Sequence, residues 1–284
     1  MRRLRLDRRE NLPLALDPIE FILQVERFYA SLTAAADADS SPDREPELGG
    51  RLLYAGELEG EGRALVVAGN IAGAASLAAT ADLTTQKQAI RDGVADFLVT
   101  SLDEALRILK NEIRKRAAVA VCLALAHEAV AREMLERGVL PDLLRQGAAT
   151  GPVMASFLSQ GARQIQHRVL QKSQALVTWR VAAAPAHWLP KLDAIALDCL
   201  SPESSPAASS ARRWLRLAPR YLGRLAQGVR VLSCEPGTAR EFSARIQLAV
   251  DRGEIGVEVL VTVSEYGETR IVRLSPSAAG KSAG

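Results

Sequence analysis

Residues 101–138 constrain the fold more than any other part of the chain. Ser101 is followed three residues on by Glu104, the spacing of a capping box. Leu102, Leu106, Leu109 and Ile113 then recur with the period of a helix that has one apolar face. Ala117–Leu125 is a continuous apolar run, suited to a strand buried on both faces. A second helix, over 127–137, stops at Gly138, a natural C-cap. A doubly buried strand between two helices is the unit of a parallel α/β sheet, whose crossovers are right-handed.

The flanking sequence extends this pattern. Asp17, Pro18 and Glu20 open a helix with apolar positions Ile19, Ile22, Leu23, Val25 and Phe28. An acidic, Pro- and Gly-bearing stretch, 36–50, reads as a connection. Leu52–Tyr54 and Ala64–Ala68 read as short strands, 71–91 as a helix and Ala95–Val99 as a strand. Further on, the patterns predict a helix over 152–172, a strand at Leu176–Val181 and a helix around 187–199. A Ser/Pro-rich segment, 201–210, precedes a helical basic stretch to Ala226, a strand at Val229–Ser233 and a helix over 237–252. Val257–Ser264 and Thr269–Leu274, joined at Tyr266-Gly267, form a hairpin pattern. The expected organisation is an N-terminal helix and linker (1–50), an α/β domain (51–200), a linker (201–211), a C-terminal α+β portion ending in a β-hairpin (212–275) and a disordered tail (276–284).

Composition narrows the function classes. With 36 basic and 33 acidic residues, the net charge of +3 does not favour nucleic acid as a partner. No apolar run is long enough to span a membrane. Cys122, Cys199 and Cys234 are odd in number and far apart, so neither a disulfide framework nor a zinc knuckle is expected, and a reducing cytoplasm is the simplest location. His127, His167 and His187 have no Cys, His or Asp at metal-ligand spacing, so no metal is expected. The Leu-bearing face of helix 101–116 suits either the domain's own core or a homo-oligomer contact.

Three segments invite chemistry. Ala64–Ser76 reads as a buried strand entering Gly69, Asn70 and Gly73 and then a small-residue helix, a layout in which backbone N–H groups approach a phosphate. The same glycines equally suit tight helix-on-strand packing. His127 opens a helix just past a buried strand, where α/β sheets place ligands, and is the candidate substrate-binding group. The stretch 212–230 holds six arginines and no acid, with Trp214 and Tyr221 interleaved. It fits either an anionic partner or a solvated helix face.

The segment VTSLDEALRILKNEIRKRAAVAVCLALAHEAVAREMLERGVLPDLL, from Val99 to Leu144, resembles the urocanases (urocanate hydratases). The family's S-L-[DE]-E-A-L-R helix is carried by Ser101, Glu104, Ala105, Leu106 and Arg107. Its E-x-x-x-R-G-V-x-P-D-[IL]-L ending is carried by Arg137, Gly138, Val139, Pro141, Asp142 and Leu144. The resemblance implies a Rossmann-like parallel sheet that binds NAD, which in urocanases acts as a tightly held electrophile toward the imidazole of urocanate. It implies that the family's glycine-rich loop corresponds to Gly69–Ser76, or, in a second register, that Asn70 falls on an asparagine of an earlier strand. Asp82 is the substitute for the acid that meets the adenosine ribose. Where the family continues D-Q-T-S-A-H-D-P, this chain reads Arg145 to Pro152 as R-Q-G-A-A-T-G-P, and the family's C-G-x-G-Y-A-like substrate segments are not recognisable. Three readings follow. One is a non-catalytic or regulatory relative in histidine catabolism, with a protein partner. Another is a shortened lyase still using NAD. The third is an α/β module meeting an anionic partner through its basic helix.

Overall fold

The computed structural model describes residues 18–37, 48–166, 173–200, 206–265 and 268–276. The Asp17 cap, residues 38–47 of the first connection, His167, residues 201–205 of the second linker, the Tyr266-Gly267 turn and residues 277–284 of the expected tail lie outside the described residues.

The chain opens with α1 (Pro18–Asp37) and then alternates β1 (Leu52–Glu57), α2 (Gly60–Ala72), β2 (Ala75–Ala79), α3 (Leu83–Arg91), β3 (Phe97–Val99) and α4 (Leu102–Lys115). It continues with β4 (Val119–Leu123), α5 (His127–Glu136), β5 (Leu143–Arg145), α6 (Gly151–Ser159) and β6 (Arg163–Ile165). These six strands form one parallel sheet in the order β3-β4-β2-β1-β5-β6. The expected Rossmann-like parallel sheet is present. Ser101 caps α4 as the spacing predicts, its Oγ accepting from Glu104 N (3.3 Å), while Glu104 Oε2 reaches one residue past the cap and accepts from Thr100 N (3.1 Å).

Two expectations fail in the same place. Ala64–Ala68 is not a strand but the centre of α2, and 71–91 is not one helix but the end of α2, then β2, then α3. The reason is burial. From Ala64 to Ala72 every residue of α2 is buried, because α2 lies between the sheet and α1 with α8 beside it. A helix apolar on all sides has no period to read and cannot be told from a buried strand. Likewise 152–172 is not one helix: α6 ends at Ser159 and the edge strand β6 follows.

The second sheet is antiparallel. It contains β7 (Ala175–Val181), β8 (Val229–Cys234), β9 (Val259–Glu265) and β10 (Glu268–Leu274), in the order β10-β9-β7-β8. α7 (Pro185–Cys199), α8 (Pro206–Leu222) and α9 (Pro236–Asp251) complete the molecule. α8 begins within the Ser/Pro-rich segment. One face of the second sheet meets α7 and α9, where buried Trp179 packs edge-on to Phe242 at 4.7 Å. Trp179 Nε1 donates to Asp193 Oδ1 (3.2 Å), whose other oxygen pairs with Arg230 (2.9 Å). On the other face β8 meets α1 and α8, where Trp214 Nε1 donates to Val231 O (2.6 Å). One apolar core therefore runs from the parallel sheet through α2, α1 and α8 into the second sheet. A separate cluster fills the far side of the parallel sheet under α4, α5 and α6.

Candidate functional site

In an open parallel sheet, ligands bind beyond the carboxyl ends of the strands, where crossovers leave in opposite directions. Here β1 sends α2 toward β2, while its neighbour β5 sends α6 toward β6 on the other side. The switch point is therefore between Glu57 and Arg145.

The turn leaving β1 reads A-G-E-L-E-G-E-G, Ala55 to Gly62. This strand-to-helix turn carries three glycines, and it is the feature that sequence reasoning missed. Gly62 has no substitute: a Cβ there would lie 1.8 Å from Glu57 O. Gly56, at φ +74°, would place a Cβ 2.6 Å from Ala148 Cα in the turn after β5. That contact closes the crevice between β1 and β5, and Ala148 is fully buried.

The remaining polar groups of the mouth are committed to each other. Arg145 donates to Ala55 O (2.9 Å) and Gln146 O (3.0 Å) and pairs with Glu61 Oε2 (3.3 Å). Glu59, the N-cap residue of α2, accepts from Thr85 Oγ1 (2.9 Å). Glu57 Oε2 lies 2.9 Å from His127 Nδ1, and Glu128 Oε1 lies 3.2 Å from His127 Nε2. Both ring nitrogens of His127 therefore face carboxylates. Beneath it, fully buried Tyr54 donates to His127 O (2.7 Å), and burial pushes its phenol above the usual range. Three carboxylates thus surround the N-terminus of α2, supplying the negative charge that a helix dipole attracts there. None of the three caps the helix, since Glu57 pairs with His127, Glu59 with Thr85 and Glu61 with Arg145, but a pyrophosphate brought to that terminus would meet their negative charge.

The structure divides the predicted site residues between opposite edges. His127 and Asp82 lie at the carboxyl edge, Asp82 in the turn after β2. Asp82 Oδ2 accepts from Thr85 N (2.6 Å), so its carboxylate caps α3, and that backbone hydrogen bond lowers its pKa. Gly69, Asn70 and Gly73 lie at the other edge, where α2 ends and β2 begins. The local order is helix, turn, strand, the reverse of a phosphate-cradling turn. Gly73 is the left-handed C-cap of α2, at φ +92°. A Cβ on Gly69 would press on Ser76 Oγ (2.6 Å) and Leu53 Cδ2 (2.8 Å), so its bareness serves helix-on-strand packing. Asn70 is buried at the same helix end.

The other candidate groups are quiet. All three cysteines are free and buried, and burial pushes their thiols up to about 11 (Cys122), about 11 (Cys199) and about 12 (Cys234). At neutral pH none is a ready thiolate. Among the described residues no cluster of His, Cys, Asp and Glu suits a metal, and no helix is long and apolar enough to cross a membrane. In the basic stretch, Arg212 donates to Leu197 O and Leu200 O and Arg213 to Ile71 O, tying α8 to neighbouring helix ends.

The residues shared with urocanases hold this frame. Arg137 joins Asp103 of α4 to Glu133 of α5, and Asp142 accepts from Leu52 N (2.8 Å) while pairing with Arg51 (2.9 Å). A model of the urocanase Rossmann-like domain matches residues 26–184, more than half of the chain, from α1 into the start of the second sheet. The chain belongs to the urocanase family.

Proposed function

We propose that this chain is a non-catalytic relative of urocanate hydratase, a binding or regulatory protein of histidine catabolism working in the cytoplasm. One observation carries the reading: the switch-point mouth is filled by the chain's own side chains. Ala148 sits on Gly56, Arg145 is committed to Ala55 and Glu61, and three glutamates ring the N-terminus of α2. NAD does not fit this arrangement. Its pyrophosphate needs unhindered N–H groups and positive potential at the helix start, and here carboxylates already occupy that field. The chain's departure from the family, Arg145 to Pro152, falls in the turn that closes the mouth. Loss of chemistry with retention of the fold is consistent with function residing in sites rather than folds. The three free thiols agree with a reducing compartment.

The test is direct. Protein purified natively and then denatured should release no NAD detectable by mass spectrometry. Millimolar NAD should leave the melting temperature of the intact protein unchanged, and urocanate should not be consumed. Stoichiometric NAD in the released material would overturn the reading in favour of a shortened NAD-dependent lyase.

A further inference from the structure

The second sheet leaves a groove open. Between α9 and the β9–β10 pair lies a cavity of about 530 Å³. That is within the roughly 300–1,000 Å³ of ordinary binding pockets. Its sheet side is a ladder of four facing pairs: Leu274/Val259, Val272/Val261, Arg270/Val263 and Glu268/Glu265. The ladder is graded, apolar at one end and charged at the other. At the charged end two carboxylates stand directly opposite each other, an arrangement that destabilises a strand pair unless a cation joins it. Neither glutamate, nor Arg270, has an ion-pair partner among the described residues; Arg273, on the other face, reaches Glu258. β10 is also the sheet's outer strand, with β9 on one side and, among the described residues, no strand on the other. Every second residue of such a strand directs its N–H and C=O outward.

We propose that this margin receives an extended segment of a partner protein, added antiparallel to β10. Read from its N-terminus, the segment's groove-facing side chains meet Leu274, Val272, Arg270 and Glu268 in turn. The complementary order is therefore apolar, apolar, acidic and basic at every second position. The acid pairs with Arg270, and the base pairs with Glu268 and relieves its repulsion with Glu265. Main-chain hydrogen bonds hold the segment, and the charge order selects it. Charges on an outer strand discourage pairing with unmatched strands. This surface is separate from the parallel sheet, so the inference stands whether or not the chain has lost NAD.

The probe is a fluorescein-labelled synthetic peptide whose groove-facing positions are Val, Val, Glu and Lys, spaced by threonines, titrated into the full chain and read by anisotropy. A second peptide exchanges its Glu and Lys. The first peptide should bind at least about tenfold more tightly, a difference of about 1.4 kcal/mol shared between two ion pairs made and two like-charge contacts avoided. The double variant Glu268→Lys/Arg270→Glu should reverse the preference, and amide exchange across 268–274 should slow on binding. Both residues are exposed, and circular dichroism checks that the variant keeps its fold. If it does not, Arg270→Gln alone should abolish the discrimination. Binding of neither peptide, or equal binding of both, overturns the proposal. So does a dimer in sedimentation velocity that dissociates on Arg270→Glu, which would give the margin to a second copy of the chain.

Discussion

The two sheets treat their margins in opposite ways. The parallel sheet is covered by helices on both faces and closes its switch point with Ala148, Arg145 and a ring of glutamates. The antiparallel sheet has α1 and α8 packed on β8, but ends at β10 in an open groove where Glu265, Glu268 and Arg270 have no ion-pair partner among the described residues. One molecule can thus carry a strand-end crevice lined by its own paired side chains and an open groove elsewhere. The inherited geometry locates the first margin. Only the local charges say what the second receives.

The strongest break of this comparison is to ask whether the sheets stand or fall together. Trp179 is fully buried between the second sheet and α9, with its N–H on Asp193. Trp179→Ala should lower stability by about 3–5 kcal/mol. Because one core joins both sheets through α1, α2 and α8, the loss should appear as a single shifted transition. All three tryptophans lie in or against the second sheet. In the parent protein, tryptophan fluorescence and far-ultraviolet circular dichroism should therefore unfold together. Separate midpoints would make the sheets independent units.

Glu26 probes the seam between them. It projects from α1 toward Ser233 of β8, and burial pushes its carboxyl up to about 7 from 4.5, the Ser233 hydrogen bond opposing. The folded protein therefore holds a proton that the unfolded chain gives up between those values. The group's contribution is most favourable below pH 4.5 and is lost as pH rises to about 7, a change of about 3 kcal/mol. Glu26→Gln should flatten that slope in denaturation measured across pH 4.5–7.5. An unchanged slope would show that α1 does not seal the seam.

Much of this architecture was legible because certain elements carry their signals locally. Ser101 and Glu104 announce a helix start by side-chain chemistry alone, and β7 and the β9–β10 strands show in their apolar runs. α2 was illegible for the opposite reason. Its surroundings are apolar on every side, so A-L-V-V-A reads equally well as strand, and the glycine turn was sought one element too late. The true turn was visible as G-x-x-x-G-x-G directly after the strand at Leu52–Tyr54, but its three glutamates resemble a solvated loop rather than a phosphate site. His127 lies at the carboxyl edge as expected because it follows a strand that the apolar run locates, whereas Asp82 lies there although the sequence pattern sets it inside a helix over 71–91. No local signal tells that the carboxylates of the turn find partners as distant in sequence as Thr85, His127 and Arg145.

Gly69 separates packing from ligand binding. Gly69→Ala presses on Ser76 and Leu53 and should cost about 1–3 kcal/mol by overpacking, less what alanine returns in helix propensity. Thermal denaturation measures the loss. A variant as stable as the parent would remove the packing explanation and return this helix end to consideration as a ligand site.

The smallest effect concerns the charges at the closed mouth. The Glu57–His127 pair is half-exposed, with side chains 31% and 18% accessible, so screening holds its value to about 1 kcal/mol or less. A double-mutant cycle of Glu57→Gln and His127→Gln, read by denaturation, should return a coupling of that size that shrinks in high salt. Neither single variant nor the double should gain NAD binding. Removing the pair relaxes the charges but leaves Ala148 against Gly56 and Glu61 against Arg145, so the crevice stays shut by packing. If Glu57→Gln alone opened the site to NAD, electrostatics rather than packing would be the lock, and the distance between this chain and a cofactor-binding urocanase would be one side chain.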